Sequence, residues 1–159
     1  MEKGVNMRNS KREITNLDEI VDVLSRCDTV RLGIGGAKYP YVVPLSFGFE
    51  VRDGKIVLYV HGAGEGLKHE LLARNNRVCA EADLFHRYRP TKHSATAEYE
   101  SVIGFGTAEK AEGAEKLRGL ALLMRRCGMP DVPVESCAAA AETVVYRITL
   151  DRVTGKRNL

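Results

Sequence analysis

The sequence predicts a mainly β protein, a six-stranded antiparallel barrel with peripheral helices. Three observations lead there. Six runs have strand-like composition, the second and third are joined by the tight-turn pair Asp53-Gly54, and helical patterns fall between other strands rather than after each one. Two strands linked by a hairpin are antiparallel neighbours, so the chain is not a βαβ repeat, and a closed or nearly closed barrel is the simplest way to bury six strands.

Residues 1–12 are polar and aperiodic and read as a flexible arm, leaving 13–159 as one domain. Asn16 is placed to cap a helix, with Glu19 three residues on as the second half of a capping box. Leu17, Ile20, Val21 and Leu24 then repeat at helical spacing over 17–26. Thr29 to Ile34 is the first strand, closed by Gly35-Gly36, and Pro40 to Val51 is the second. Proline cannot donate to a β ladder, so Pro44 requires an edge, a bulge or a ligand-facing position. Lys55 to His61 is the third strand, and 65–74 is a helix with Leu67, Leu71 and Leu72 on its apolar side. Val78 to Leu84 is the fourth strand, with Cys79 read as a small core residue. Residues 86–97 look irregular, and Tyr99 to Glu109 is the fifth strand. A helix over 112–127 stops at Gly128, a short helix is expected within 134–141, and Thr143 to Val153 alternates as the sixth strand.

The bulk numbers exclude several classes. A net charge of +3 over 159 residues is too small for a dedicated nucleic-acid binder. No apolar run approaches the ~18–20 residues that span a membrane, so no membrane partner is expected. Four dispersed cysteines lack zinc-site spacing, so no metal is expected, and their reduced state fits a cytoplasmic protein.

The third strand ends in His61 and runs into a loop holding Gly62, Gly64 and Gly66, with Lys68 at the head of the next helix. Helix N-termini and cations attract anions such as phosphate, although a glycine loop with one lysine is equally well a plain flexible turn. This stretch (LYVHGAGEGLKHELLARNNRVCAEAD, 58–83), together with YPYVVPLSFGFE (39–50), YESVIGFGTAE (99–109) and YRITLDRVTGKRNL (146–159), resembles the FMN-binding split-barrel flavoproteins related to pyridoxamine 5′-phosphate oxidase. The likeness is nearest to the subgroup that includes the nitroimidazole-resistance reductases. The resemblance implies a homodimer with FMN in a groove where two subunits meet. The backbone of Val43, Pro44, Leu45, Ser46 and Phe47 would run along the flavin edge. His61 and Gly62 would lie beside it, Gly66, Leu67 and Lys68 would hold the phosphate, and Ser101, Val102 and Ile103 would contribute from the fifth strand. It also implies that a basic residue of the tail 154–157 approaches the site.

A lone histidine is more often structural, but the resemblance implies that His61 is a binding residue first and a candidate catalytic proton donor second, whereas His69, His86 and His93 read as surface residues. One departure stands out: Glu100 occupies a place where relatives often carry arginine, so phosphate binding would lean on Lys68, or on Arg125 or Arg126. The resulting expectation is an FMN-dependent oxidoreductase that takes electrons from NADH or NADPH and reduces a small nitroaromatic or quinone-like acceptor. No Rossmann fingerprint is present, so a nicotinamide would dock directly over flavin. The alternatives are a non-catalytic flavin carrier and a heme- or deazaflavin-binding relative.

Overall fold

The computed structural model describes residues 7–36, 38–136 and 138–159. Eight strands and four helices follow in the order β1 (Glu13–Ile14), α1 (Leu17–Arg26), β2 (Val30–Ile34), β3 (Tyr41–Leu45), β4 (Phe47–Arg52), β5 (Lys55–Gly62), α2 (Leu67–Arg74), β6 (Arg77–Pro90), β7 (Ala95–Ala111), α3 (Gly113–Arg126), α4 (Ala138–Glu142) and β8 (Val144–Asn158). Every pairing is antiparallel, and the strand order is β3-β2-β6-β7-β8-β5-β4, with β1 added beside β8. The predicted class is therefore correct, with eight strands in place of six.

Of the two added strands, one is the short β1 beside β8, and the other has a physical cause. The single strand expected over 40–51 breaks at Ser46. Before the break it pairs with β2 (Leu45 opposite Val30), and after it with β5 (Phe47 opposite Val60). One stretch of chain thus serves both ends of the sheet and closes the barrel. Pro44 lies on β3, which pairs only with β2, so the missing donor falls on an edge as expected. The Asp53-Gly54 turn has positive φ at both residues (52° and 74°), the backbone a two-residue hairpin requires.

Two further expectations are corrected. Residues 86–97 are not irregular: β6 and β7 continue as a two-stranded ribbon to Pro90 and Ala95. Cross-strand charges hold it, Arg87 Nε at 2.6 Å and Arg89 Nε at 2.7 Å from Glu98, and these carry no apolar alternation for a sequence reading to detect. The expected arm over 1–12 lies outside the described residues up to position 6, while Ser10–Arg12 forms a 3-10 turn leading into β1. The helix expected within 134–141 is a 3-10 turn over Val134–Ser136 followed by α4, with position 137 outside the described residues.

The barrel interior is filled by Leu32, Phe47, Ile56, Leu58, Val60, Ala80, Val102 and Ile148. Ile20, Val23 and Leu24 of α1 and Leu71 and Leu72 of α2 join the same cluster. Asn16 caps α1 as expected, its side-chain oxygen accepting from the N–H of Asp18 at 2.8 Å and of Glu19 at 3.2 Å. Helix α3 packs on the outside of β4, β5 and β8, where Val57, Tyr59, Ala111 and Val145 form a second cluster beneath Leu120 and Leu122. Arg126 at the end of α3 stacks over Phe47 at 4.5 Å and donates to the carbonyls of Ser25 and Cys27, strapping α3 to the end of α1.

Among the described residues no helix covers the outer side of the sheet around β3, β2, β6 and β7, and Val42 (59%), Phe85 (54%), Ile103 (39%) and Phe105 (48%) stand exposed there. Cys79 also faces outward and is half-buried rather than in the core. Among the described residues no helix is long and apolar enough to cross a membrane.

Glu100 is buried (3% exposed) and accepts from Arg26 Nη1 at 2.7 Å, Arg157 Nε at 2.7 Å and His86 Nε2 at 3.1 Å. Glu19 takes the other edge of Arg157 at 3.2 Å instead of reaching back to Asn16. This cluster ties α1, β6, β7 and the end of β8 together. The hydrogen bond from Arg26 is the largest cause holding the Glu100 carboxyl at about 2, from an ordinary 4.5. A depressed carboxyl stabilises the fold above its unfolded pKa, and that contribution is lost as pH falls from about 4.5 toward about 2. Glu100→Gln is expected to lower unfolding free energy at pH 7 by roughly 3 kcal/mol and to flatten the acid limb, measured by urea unfolding across pH.

Candidate functional site

The residues singled out in the sequence fall into two groups. The first gathers where β5 ends. Phe47 pairs with Val60, so the next step along each strand brings Ser46 beside His61. Pro44 and Ser46 are exposed, Val43 and Leu45 are half-buried against the core, and the Phe47 side chain is fully buried. Phe47 can therefore offer a ligand only its backbone.

From His61 the chain turns through Gly62 and Gly66 into α2. Gly66 has φ +130°, a conformation that side-chain-bearing residues avoid, and no side chain caps the helix. Its carbonyl accepts from the N–H of His69 at 2.9 Å, while the first turn points its N–H groups out of the helix end. Lys68 folds back across Gly62 and donates to the His61 carbonyl at 3.2 Å. A Cβ on Gly62 would collide with Lys68 Nζ, so glycine is what lets the ammonium lie over the loop. An ammonium and an uncapped helix start facing one loop favour negative charge there. Burial lowers the Lys68 pKa, and burial followed by the nearby Lys68 charge lowers that of His61. The lowered pKa favours the neutral ring, which can accept a proton.

The second group is Ser101, Val102 and Ile103 on β7. Ile103 lies in one register line with Glu81, Arg31 and Pro44, three strand spacings from β3, about 15 Å along the sheet. Val102 points into the core, whereas Ser101 and Ile103 face outward on the uncovered side. A barrel is convex outside, so side chains this far apart diverge from one another. The chain by itself does not bring the two groups together.

The remaining candidates sort by their partners. Arg157 is committed to Glu100 and Glu19, whereas Lys156 pairs in register with Ser101 and lies 5.9 Å from the Tyr99 ring, making it the outward cation of the tail. Arg126 is occupied by the α1 carbonyls and Phe47, which removes it as a phosphate ligand. Glu100 faces Arg26, Arg157 and His86, so its negative charge is already balanced.

Neither His69 nor His86 is the unpartnered surface residue expected. His86 bonds Glu100, and His69 Nδ1 lies 2.9 Å from the hydroxyl of buried Tyr146, with the two rings stacked at 5.6 Å. His69 precedes buried Leu72 by three residues and so shares its face of α2, a spacing that marked it as inward. Its pKa is lowered, chiefly by burial and then by Lys68. Among the described residues no cluster of metal-ligating side chains occurs.

A cavity of about 720 Å³ lies elsewhere. It sits on the uncovered face past the C-terminal end of α2, between Asn75, Arg77, Phe105 and Arg152, and includes none of the residues predicted to bind flavin.

Comparison with known proteins places this geometry. The profile described as pyridoxamine 5′-phosphate oxidase matches residues 16–157. A crystal structure from Bacteroides thetaiotaomicron, named for 5-nitroimidazole antibiotic resistance, is similar at TM-score 0.76 and 30% identity, over 91% of this chain and 85% of that one. An FAD-binding protein from Mesorhizobium loti shares the fold at TM-score 0.68 and 22% identity (93% and 98% covered). So does an FAD and heme binding protein from Mycobacterium smegmatis at TM-score 0.77 and 20% identity (92% and 73% covered). No curated protein matches the chain. With the profile spanning nearly the whole barrel, the chain belongs to the pyridoxamine 5′-phosphate oxidase family.

Proposed function

We propose that this protein is a homodimeric FMN-binding flavoprotein of the cytoplasm. It would act as an oxidoreductase that passes electrons from a reduced nicotinamide to a nitroaromatic or quinone-like acceptor. The observation that carries the flavin reading is the uncapped start of α2 with Lys68 drawn over Gly62, next to the exposed Pro44–Ser46 rim and His61. It offers an ammonium and free N–H groups for a dianionic phosphate, and a strand edge whose backbone can meet the polar side of a flat ring. Two structures of the same fold are named for FAD binding, which supports a flavin as the ligand. The likeness to the nitroimidazole-resistance protein supports a nitroaromatic acceptor. Among the described residues the three thiols Cys27, Cys79 and Cys127 form no disulfide, which suits a reducing compartment.

Bound FMN would supply the two-electron chemistry. Lys68 and the α2 N-terminus would anchor the phosphate, and the Val43–Phe47 backbone would orient the ring. Leu67 would shield the anchor, and His61, whose lowered pKa favours the neutral ring, would hold or accept a proton at Nδ1 or Nε2. Ser101, Ile103 and Lys156 diverge from this rim within one protomer and would come from a second copy packed on the exposed apolar face. That packing would cover Phe85 and Ile103, leave the row of Phe105 and Arg152 open, and complete the groove.

Freshly purified protein is expected to show flavin absorption, to bleach with NADH or NADPH, and to recover colour with a nitroaromatic. A colourless protein that takes up no flavin, or one carrying a Soret band instead, would overturn the flavin reading. Bleaching only by dithionite would leave a carrier. Lys68→Ala should weaken FMN binding by about 1.5–3 kcal/mol, read by fluorescence titration. Because burial lowers the Lys68 pKa in the free protein and a phosphate raises it again, FMN affinity should fall as pH rises through that lowered value. An unaltered pH profile in Lys68→Ala would remove Lys68 from this role. Ile103→Asp should convert a dimer to monomers in sedimentation and release FMN together with the partner, and a wild-type sedimentation profile would argue against this interface.

A further inference from the structure

The 720 Å³ cavity beyond α2 is not used by the flavin reading, and its walls have a consistent chemistry. Two guanidiniums, Arg77 and Arg152, stand on one cavity. The Arg77 side chain is exposed and has no carboxylate partner among the described residues. Phe105 presents a half-exposed ring to the same space, with apolar Ile34 and Val78 nearby. Asp151 is also at the wall, its charge offset by Lys55 Nζ at 2.9 Å. The volume lies within the range of small-ligand sites.

We infer that this cavity binds a nucleoside 5′-phosphate. The phosphate would lie on Arg77 and Arg152, the base against Phe105, and a sugar hydroxyl would donate to the Asp151 carboxylate. Paired guanidiniums suit phosphate oxygens, which a single ammonium holds only as a point charge. An aromatic face beside them selects a flat base over a bare inorganic anion. A carboxylate already balanced by lysine can accept from a hydroxyl without repelling the phosphate. Arg77 lies past the far end of the helix that Lys68 begins, and the seven residues from Lys68 to Asn75 span about 10 Å. The site is therefore separate from the proposed FMN phosphate anchor. Such a nucleotide occurs as the adenylate half of a dinucleotide flavin, as the adenylate half of a nicotinamide dinucleotide, and free, so adenosine 5′-monophosphate is the probe that covers all three.

Calorimetric titration of the flavin-free protein with adenosine 5′-monophosphate tests this without reliance on flavin. Saturable binding is expected, weakened roughly tenfold or more in Arg77→Ala, partly restored in Arg77→Lys and unchanged in Lys68→Ala. Parallel titrations assign the source. A preference for FAD over FMN that disappears in Arg77→Ala identifies the flavin's own adenylate. NADH binding that depends on Arg77, with FAD and FMN held equally, identifies the nicotinamide cofactor. Arg77-dependent adenylate binding with neither dinucleotide favoured identifies a free nucleotide. Absence of saturation at millimolar adenylate, or equal affinity in Arg77→Ala, overturns the inference even if FMN binds as proposed. Loss of FMN binding alone, with adenylate binding retained, instead counts against the flavin site.

Discussion

The partner switch at Ser46 is the constraint on which the rest of the molecule depends. A chain that donates to β2 up to Leu45 and to β5 from Phe47 holds both edges of the sheet at once. Closure then requires Phe47 to plunge into the core while Ser46 remains at the surface. The same crossing brings the proline-bearing edge beside the end of β5, where His61, Gly62 and the start of α2 follow without further adjustment. The anion-seeking loop and the rim next to it are therefore consequences of barrel closure. Coverage is also decided here: α3 fills the outer side of β4 and β5, and the outer side of β3 and β2 is left open.

Much of this was legible in the residues. Helices α1 and α3 follow from 3.6-residue spacing with polar starts, and the Asp53-Gly54 turn follows from the φ that only such pairs adopt readily. Nearness of His61 to Lys68 follows from chain proximity alone. What escaped was tertiary. The Ser46 break leaves no composition signal because both halves remain extended. The ribbon beyond Leu84 is held by arginine–glutamate pairs instead of alternating apolar residues. Separation of Ser101 and Ile103 from the rim depends on strand order, which local patterns do not encode. His69 could have been placed inward from its spacing to Leu72, although Tyr146 as its partner could not.

Glu100 shows how a reversed charge can be absorbed. It replaces a cation expected from the resemblance, yet it does not oppose phosphate from where it sits. Its oxygens are consumed by Arg26, Arg157 and His86 inside the structure. A buried carboxylate with three donors also directs the tail: by fixing Arg157 inward it leaves Lys156, of opposite strand parity, facing out beside Ser101.

Strand β8 is flanked by β7 and β5 and also receives β1, so Glu13 and Ile14 meet Lys156 and Gly155. Contacts of such sequence separation delay the search for the native topology. An emerging polypeptide can zip the hairpin of β4 and β5 early, but no barrel closes before residue 158 is free. Until then the ladders of β5 and β7 that await β8 stand open, and this interval is when the chain is most exposed to mispairing with its neighbours during synthesis.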